Sequence, residues 1–379
     1  MSPPALSPGP PASLGYRMPA EWEPHAATWL AWPWSTADWP GKGAAIPWVF
    51  AELTRWLQRG EVVRILVPHA EAEVRVAATL RKAGASLDEV DFVRGAVNRT
   101  WVRDNLPTFV TTRRAQETGP EASRAPALAA VKWRFNGWAR YTNHKKDDAV
   151  GHLVARWLGV PTFQPTVAHA GTTRRVVLEG GAIDVDGEGT LLATRRCLLD
   201  GPLARNPQLG AAGTEAILAD HLGVKRVIWL DEGIAGDDTA GHVDDFVRFV
   251  GPGRVVLAQE PRASDANHRP LRRAAEVLSG ARDAAGRRLE VIPLPMPEPL
   301  FHGDERLPAS YANYYVGNAV VVVPTFNDPH DRDALGLLAE LFPGRTVVGI
   351  HAVDLVLGLG TLHCSTQQEP IGVPRRRRR

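Results

Sequence analysis

Polar clusters recur along this chain at a near-constant spacing, each just ahead of an apolar run of β type. No other feature of the sequence constrains the fold as strongly. The clusters lie at 101–104, 179–181, 242–245 and 311–313. Asp104, Glu179, His242 and Asn313 are separated by 75, 63 and 71 residues, and Trp29 opens a similar unit 75 residues before Asp104. Units that cannot bury an apolar face alone must stack on their neighbours. Five of them predict a closed, pseudo-symmetric arrangement with the polar clusters facing a common centre.

Between the clusters two periodicities alternate. The apolar runs at 62–67, 226–230, 289–294, 319–323 and 346–350 predict buried strands. In 147–159, Val150, Leu153, Val154, Trp157 and Leu158 share one helical face and Gly159 is a stop. Segments 214–222 and 331–342 read likewise, and 186–189 reads as a hairpin turn. Strands alternating with helices predict an α/β protein. Segments 111–130 and 261–285 are expected to be surface insertions.

The 379 residues are 44% hydrophobic and 23% charged, enough for a sizeable core. No stretch approaches the ~20 apolar residues of a membrane span, so no membrane partner is expected. Residues 1–17 are rich in Pro and Ser and lack an apolar signal-peptide core, which predicts a mobile tail rather than a secretory signal. The formal charge of +2 includes the terminal run of five arginines, 375–379. Without that run 39 basic residues face 42 acidic ones, so the body carries no nucleic-acid footprint. The run itself reads as a basic tail, 371–379, with a localisation patch as the alternative. Cys197 and Cys364 cannot make a disulfide framework, and a cytoplasmic, reducing location is expected. Seven of the 12 tryptophans fall between Trp22 and Trp56, as core packing or as a wall against a ligand.

The clusters carry chemistry. Asp104 follows Arg103 ahead of a strand: either a surface ion pair, or a carboxylate able to accept two parallel N–H bonds from a planar cation. Glu179 precedes two glycines, which admit close approach of backbone or ligand. In a β-conformation His242 and Asp244 would share a face. H-x-D also occurs in metal sites, but no further ligand pair lies at usable spacing, so no metal is expected. Cys197 reads as a small buried hydrophobe. Cys364, in a glycine-led polar segment, reads as a nucleophile. One Cys, one His and three carboxylates exceed what acyl transfer needs, because surplus carboxylates would repel a developing oxyanion. They would instead hold a cation, and a planar cation open to attack at carbon is a guanidinium.

The chain resembles the agmatine deiminase and bacterial-type peptidyl-arginine deiminase family of the guanidino-group-modifying (pentein) superfamily. Matching stretches include Met18-Pro-Ala-Glu-Trp-Glu-Pro-His, Trp101-x-Arg-Asp104, Phe135-Asn-Gly-Trp, Leu178-Glu-Gly-Gly, Arg205-Asn-Pro, Gly241-His242-x-Asp244, Ser310-Tyr-x-Asn and His363-Cys364-x-Thr-Gln-Gln. The resemblance implies a single catalytic domain over 18–370, a five-bladed α/β propeller with the site on its axis. It implies Cys364 as nucleophile, His242 as general acid/base, Glu179 beside it, and Asp104 and Asp244 as guanidinium-binding carboxylates. Trp101, Asn313 and Arg140 are expected to contact substrate. Arg140 would favour a carboxylate or carbonyl beyond the guanidinium. The implied reaction is cofactor-free hydrolysis of agmatine to N-carbamoylputrescine and ammonia. Deimination of arginine or peptidyl-arginine is the alternative. A Cys–His acyl amidohydrolase and a non-catalytic guanidine-binding protein stay open, as does a homo-oligomer. The chain departs from the family pattern at Leu106, Ala139–Tyr141, Ala240, Leu359 and Thr361, where Gly or Asp is common at several positions.

Overall fold

In the computed structural model, which describes residues 9–112 and 127–372, the alternation resolves into five sheets of one topology. Two strands pair antiparallel, a helix crosses over, and a third strand returns parallel to the second. A tight connection suffices for an antiparallel pair, whereas a parallel return needs the helix. Thr108–Thr112, Leu128–Val131, the helix Lys145–Leu158 and Thr162–Phe163 make one unit. Ile183–Val185, Thr190–Thr194, Gly210–Leu222 and Arg226–Leu230 make the next. Val247–Gly251, Arg254–Gln259, His268–Gly280 and Glu290–Pro295 follow. Tyr315–Val316, Val320–Thr325, His330–Leu341 and Thr346–His351 complete the series within continuous chain.

The remaining unit is stitched from distant segments. Its first strand, Gln367–Pro370, pairs antiparallel with His25–Ala31, and Val62–Val67 returns parallel after the helix Ile46–Leu57. Trp29 therefore lies on a middle strand. The cluster that opens this unit is the turn around Cys364, a correction to the count that began at Trp29.

Of the runs expected to be buried strands, Val62–Val67 is buried throughout and Val320–Thr325 nearly so, but Arg226–Leu230, Glu290–Pro295 and Thr346–His351, the third strands of their units, are partly exposed. Each lies at a sheet edge, where one flank and part of one face meet solvent. The helices cover the sheets with narrow apolar stripes. In Lys145–Leu158 the buried side chains include Val150, Val154 and Leu158, and Gly159 closes the helix at φ 69°. Each such side chain contributes roughly 1.5–3 kcal/mol on burial.

Segment 261–285 is not an insertion. It holds the helix His268–Gly280, whose Leu271, Ala274 and Leu278 face the core. The stripe is so thin among its charged residues that the sequence reads as surface. Both ends of 111–130 are buried sheet, at Thr108–Thr112 and Leu128–Val131, while 113–126 lies outside the described residues. The expected tail 1–17 is likewise structured from Pro11 onward. Pro11–Leu14 forms a 3-10 turn, and Tyr16 pairs with Thr112 at only 2% exposure. One large aromatic anchors a segment whose composition suggested none. The expected basic tail falls almost wholly outside the described residues. Among the described residues no helix is long and apolar enough to cross a membrane.

Candidate active site

Each polar cluster folds as a single short turn immediately before the first strand of its unit. The turns are Val102–Asn105, Gly180–Ala182, Val243–Asp245 and Tyr311–Asn313. Each of the four touches the next. The turn around Cys364 closes the circle: the His363 amide donates to the Asn313 carbonyl (3.1 Å), and the Arg103 amide donates to the Cys364 carbonyl (3.2 Å). Gly181 sits where the turns converge. A Cβ there would lie 2.6 Å from His242 Nδ1, 3.0 Å from Asp104 Oδ1 and 3.1 Å from Asp244 Oδ1, so only glycine fits.

The convergence brings Cys364, His242, Glu179, Asp104 and Asp244 together. His242 is not in a strand with Asp244 as expected; it caps the 3-10 turn Val243–Asp245. The turn still aims both inward. His242 Nδ1 lies 3.9 Å from Asp104 Oδ1 and 4.0 Å from Asp244 Oδ1, and its Nε2 lies 3.7 Å from Glu179 Oε2. Glu179 is held by Arg205, whose Nε donates to both its oxygens at 2.8 and 3.0 Å. Asp104 accepts from Trp138 Nε1 (2.8 Å) and from the Gly181 amide (3.0 Å). Cys364 Sγ lies 3.7 Å from Asp244 Oδ2. Asp244 Oδ1 is buried and has no hydrogen-bond partner among the described residues.

Burying several carboxylates together perturbs all of them. Burial, with Asp244 and Glu179 nearby and His242 opposing, raises the Asp104 carboxyl to about 6. Burial, reinforced by Asp244 and Asp237, also raises Asp245 well above the usual carboxylate range. Burial also pushes against Asp244 and Glu179, but His363 holds the first below its ordinary range and Arg205 and His242 hold the second. For His242, burial is outweighed by Asp104, Glu179 and Cys197, which keep the imidazole cationic. The Cys364 thiol is driven well up by burial and by Asp244, Asp245 and Asp104. The site is therefore anionic in character around a neutral thiol.

A cavity of about 400 Å³ opens from Cys364. Trp101, Trp138, Leu359 and Gly360 line it near the thiol, and Asp38, Arg99, Tyr141, Asp238, His302 and Glu305 line it further out. Trp101 is backed by Trp39, ring centroids 5.7 Å apart. None of the seven N-terminal tryptophans lines the cavity; that segment reaches it through Ala37, Asp38 and Pro40 instead. Trp138 and Ala139 both take left-handed backbone (φ 57° and 59°), and Leu359 does so at φ 65°. Such conformations cost an L-residue roughly 1–2 kcal/mol. The strain at 138–139 throws Trp138 onto Asp104 and Tyr141 onto Asp238, whose Oδ2 it reaches at 2.5 Å.

Two expected substrate contacts lie elsewhere. Arg140 is exposed and does not line the cavity, because the same tight turn that directs Tyr141 inward directs its neighbour out. Asn313 is fully engaged in holding the nucleophile turn. Its Nδ2 donates to Cys364 Sγ (3.2 Å) and Asp245 Oδ1 (3.0 Å), and its Oδ1 accepts from Thr361 Oγ1 (2.7 Å). Cys197 is buried as expected, yet its sulfur, a Glu179 oxygen and a His242 nitrogen lie within 4.8 Å of one another. Asp244, Asp245 and Cys364 form a second such group. The fold thus supplies neighbours that the spacing did not, although a metal on Glu179 would compete with Arg205. Trp138, Arg205 and Asp245 lay inside or beside matched stretches, but only their contacts reveal what they do.

The model of the Porphyromonas-type peptidyl-arginine deiminase family matches residues 17–370. The agmatine deiminase of Stutzerimonas stutzeri is 37% identical, covering 95% of this chain and 97% of that protein. The agmatine deiminase of Ectopseudomonas mendocina is 35% identical with the same coverage. Among solved structures, the agmatine deiminase of Enterococcus faecalis superposes with a TM-score of 0.83 at 29% identity, over 96% of this chain and 98% of that one.

Proposed function

The chain belongs to the Porphyromonas-type peptidyl-arginine deiminase family, and on that premise we propose that it hydrolyses the guanidinium of agmatine, releasing ammonia and leaving a ureido product. One observation carries the reading. Asp104 and Asp244 converge beside a buried thiol, with one oxygen of Asp244 unpaired, which is an anionic cradle for a planar cation. The comparisons with agmatine deiminases support the same reading. The five like units and the ring of turns support a five-bladed propeller closed on that cradle.

In this reading the guanidinium enters between Asp104 and Asp244 with its carbon facing Cys364 Sγ. Its charge offsets the carboxylates that keep the thiol neutral, so binding favours the thiolate, the thiol proton passing to solvent because His242 is already charged. The sulfur attacks the guanidinium carbon and His242 gives a proton to the departing ammonia. The product is an S-alkylthiouronium on Cys364. His242 then takes a proton from water, hydroxide adds to the same carbon, and the thiolate leaves as the ureido product forms. Proton transfer of this kind is worth roughly 10²–10⁴-fold. Glu179, fixed by Arg205, orients His242 and favours its charged form. Asn313 holds the thiol in line.

The outer cavity favours agmatine over arginine. Asp38, Asp238 and Glu305 face the space beyond the guanidinium, and Arg99 there is paired with Asp38 at 3.5 Å. An ammonium suits that end and a carboxylate does not. Ammonia release from agmatine, arginine and N-acylarginine amide tests this, with Asp238→Asn alongside. We expect agmatine to be preferred by at least about a hundredfold, and Asp238→Asn to raise its KM about tenfold, the value of one charge-assisted hydrogen bond. Equal kcat/KM for arginine or its amide would overturn the assignment.

A further inference from the structure

Asp244 has its two oxygens in different circumstances. Oδ1 faces the site unpaired, while Oδ2 meets His363 Nδ1 at 2.6 Å. The other ring nitrogen of His363, Nε2, meets Glu21 Oε2 at 2.7 Å, a contact across 342 positions of chain. All three side chains are at most 5% exposed. Ionised carboxylates only accept hydrogen bonds, so a ring between two of them donates from both nitrogens and carries a positive charge.

Glu21 is itself immobilised. Its Oε1 accepts from the Val316 amide and from Arg248, both at 2.9 Å, and its Oε2 also accepts from Arg103 at 3.1 Å. Arg248 is tied in turn to Asp184 at 3.3 Å and to the Tyr314 carbonyl at 2.8 Å. Arg103 reaches Gln368 at 2.6 Å. A rigid, charge-balanced network therefore stands directly behind the Asp244 carboxylate. Glu21 and His363 stand behind Asp244, and the chemistry above gives neither of them a role.

We propose that His363 is a positioning residue for the guanidinium: an imidazolium clamped between Glu21 and Asp244 that fixes one carboxylate oxygen and leaves the other free and aimed at the substrate cation. This rests on the reading of Asp244 as a guanidinium ligand. Without the clamp, Asp244 would share a buried pocket with Asp104, Asp245 and Cys364 and have only His242 and the more distant Arg248 to keep it charged. Burial disfavours the ionised form, and the His363 bond is the largest contribution opposing it.

His363→Gln and His363→Asn separate the two bonds. A glutamine amide nitrogen reaches roughly where Nε2 was and keeps the link to Glu21. An asparagine amide nitrogen sits roughly where Nδ1 was and keeps the bond to Asp244. In the full chain, His363→Gln should raise the KM for agmatine about tenfold or more. It should also move the acid limb of kcat/KM upward, because Asp244, without its cationic partner, then loses its charge in the range where Asp104 does. His363→Asn should show the smaller KM effect of the two. If His363→Gln does not fold, His363→Asn and Glu21→Asp, which withdraws the anchor but keeps its charge, read the same two quantities. Folded variants with the wild-type KM and an unmoved acid limb would overturn the proposal and leave His363 as packing. Failure of the unaltered chain to turn over agmatine would instead overturn the reading on which it rests.

Discussion

Replacing Asp104 by asparagine changes one atom and removes one charge. In the structure both of its oxygens are already engaged, Oδ2 with Trp138 Nε1 at 2.8 Å and Oδ1 with the Gly181 amide at 3.0 Å. Each still has a lone pair to offer a guanidinium N–H. An asparagine can accept at only one of the two positions, so its NH₂ must face either the indole N–H or the Gly181 N–H. One buried donor is then left unpaired, which costs about 1–3 kcal/mol of stability. The functional loss is larger. Two hydrogen bonds to an ionised partner, each worth about 1.5–3 kcal/mol, give about 3–6 kcal/mol of lost substrate and transition-state binding. That converts to a fall in kcat/KM of ~10²–10⁴-fold. Ammonia release from agmatine measures it, and thermal unfolding separates it from the stability loss, expected as a few degrees in Tm. A folded Asp104→Asn protein with kcat/KM within about threefold of the unaltered chain would refute the reasoning.

Two other outcomes follow from the same geometry. Because the Asp104 carboxyl is raised to about 6 and pairs with a guanidinium only when ionised, kcat/KM should rise with pH through about 6 and fall below it; an acid limb that Asp104→Asn leaves unchanged would contradict this. Arg140→Gly should alter the agmatine-to-arginine ratio of kcat/KM less than about twofold, since Arg140 is exposed beside the cavity, and a larger change would show that it reaches substrate.

Those two residues also show what a sequence can and cannot disclose here. Asp104, Glu179, His242 and Asp244 gather beside Cys364 because their three clusters each open a repeat unit, and position in a repeat is visible as spacing. Arg140 and Tyr141 are adjacent in sequence, yet a run of three left-handed residues, 137–139, sends one outward and the other onto Asp238. Nothing in residue type signals which neighbour such a turn will favour. Asn313 was visible as a polar residue of a cluster, but its bonds to Cys364 and Thr361 cross about 50 positions and appear only once the turns meet. The unit containing Cys364 was misread for a similar reason. Its first and second strands, Gln367–Pro370 and His25–Ala31, come from opposite ends of the described chain, and periodicity along the sequence cannot join them. The helix His268–Gly280 was hidden differently, by a stripe of only three buried side chains among charges. Cys197 reads as a buried hydrophobe and is one, but its nearness to His242 is a property of the fold alone.

The central claim is that Cys364 bonds covalently to the guanidinium carbon. Acid quenching during turnover of agmatine, followed by digestion and mass spectrometry of the peptide carrying Cys364, tests it most directly. The peptide should gain the mass of agmatine less ammonia, in an amount that decays as substrate is exhausted, and Cys364→Ser should give neither adduct nor ammonia. Turnover by Cys364→Ser, or an adduct found on Cys197 instead, would contradict it.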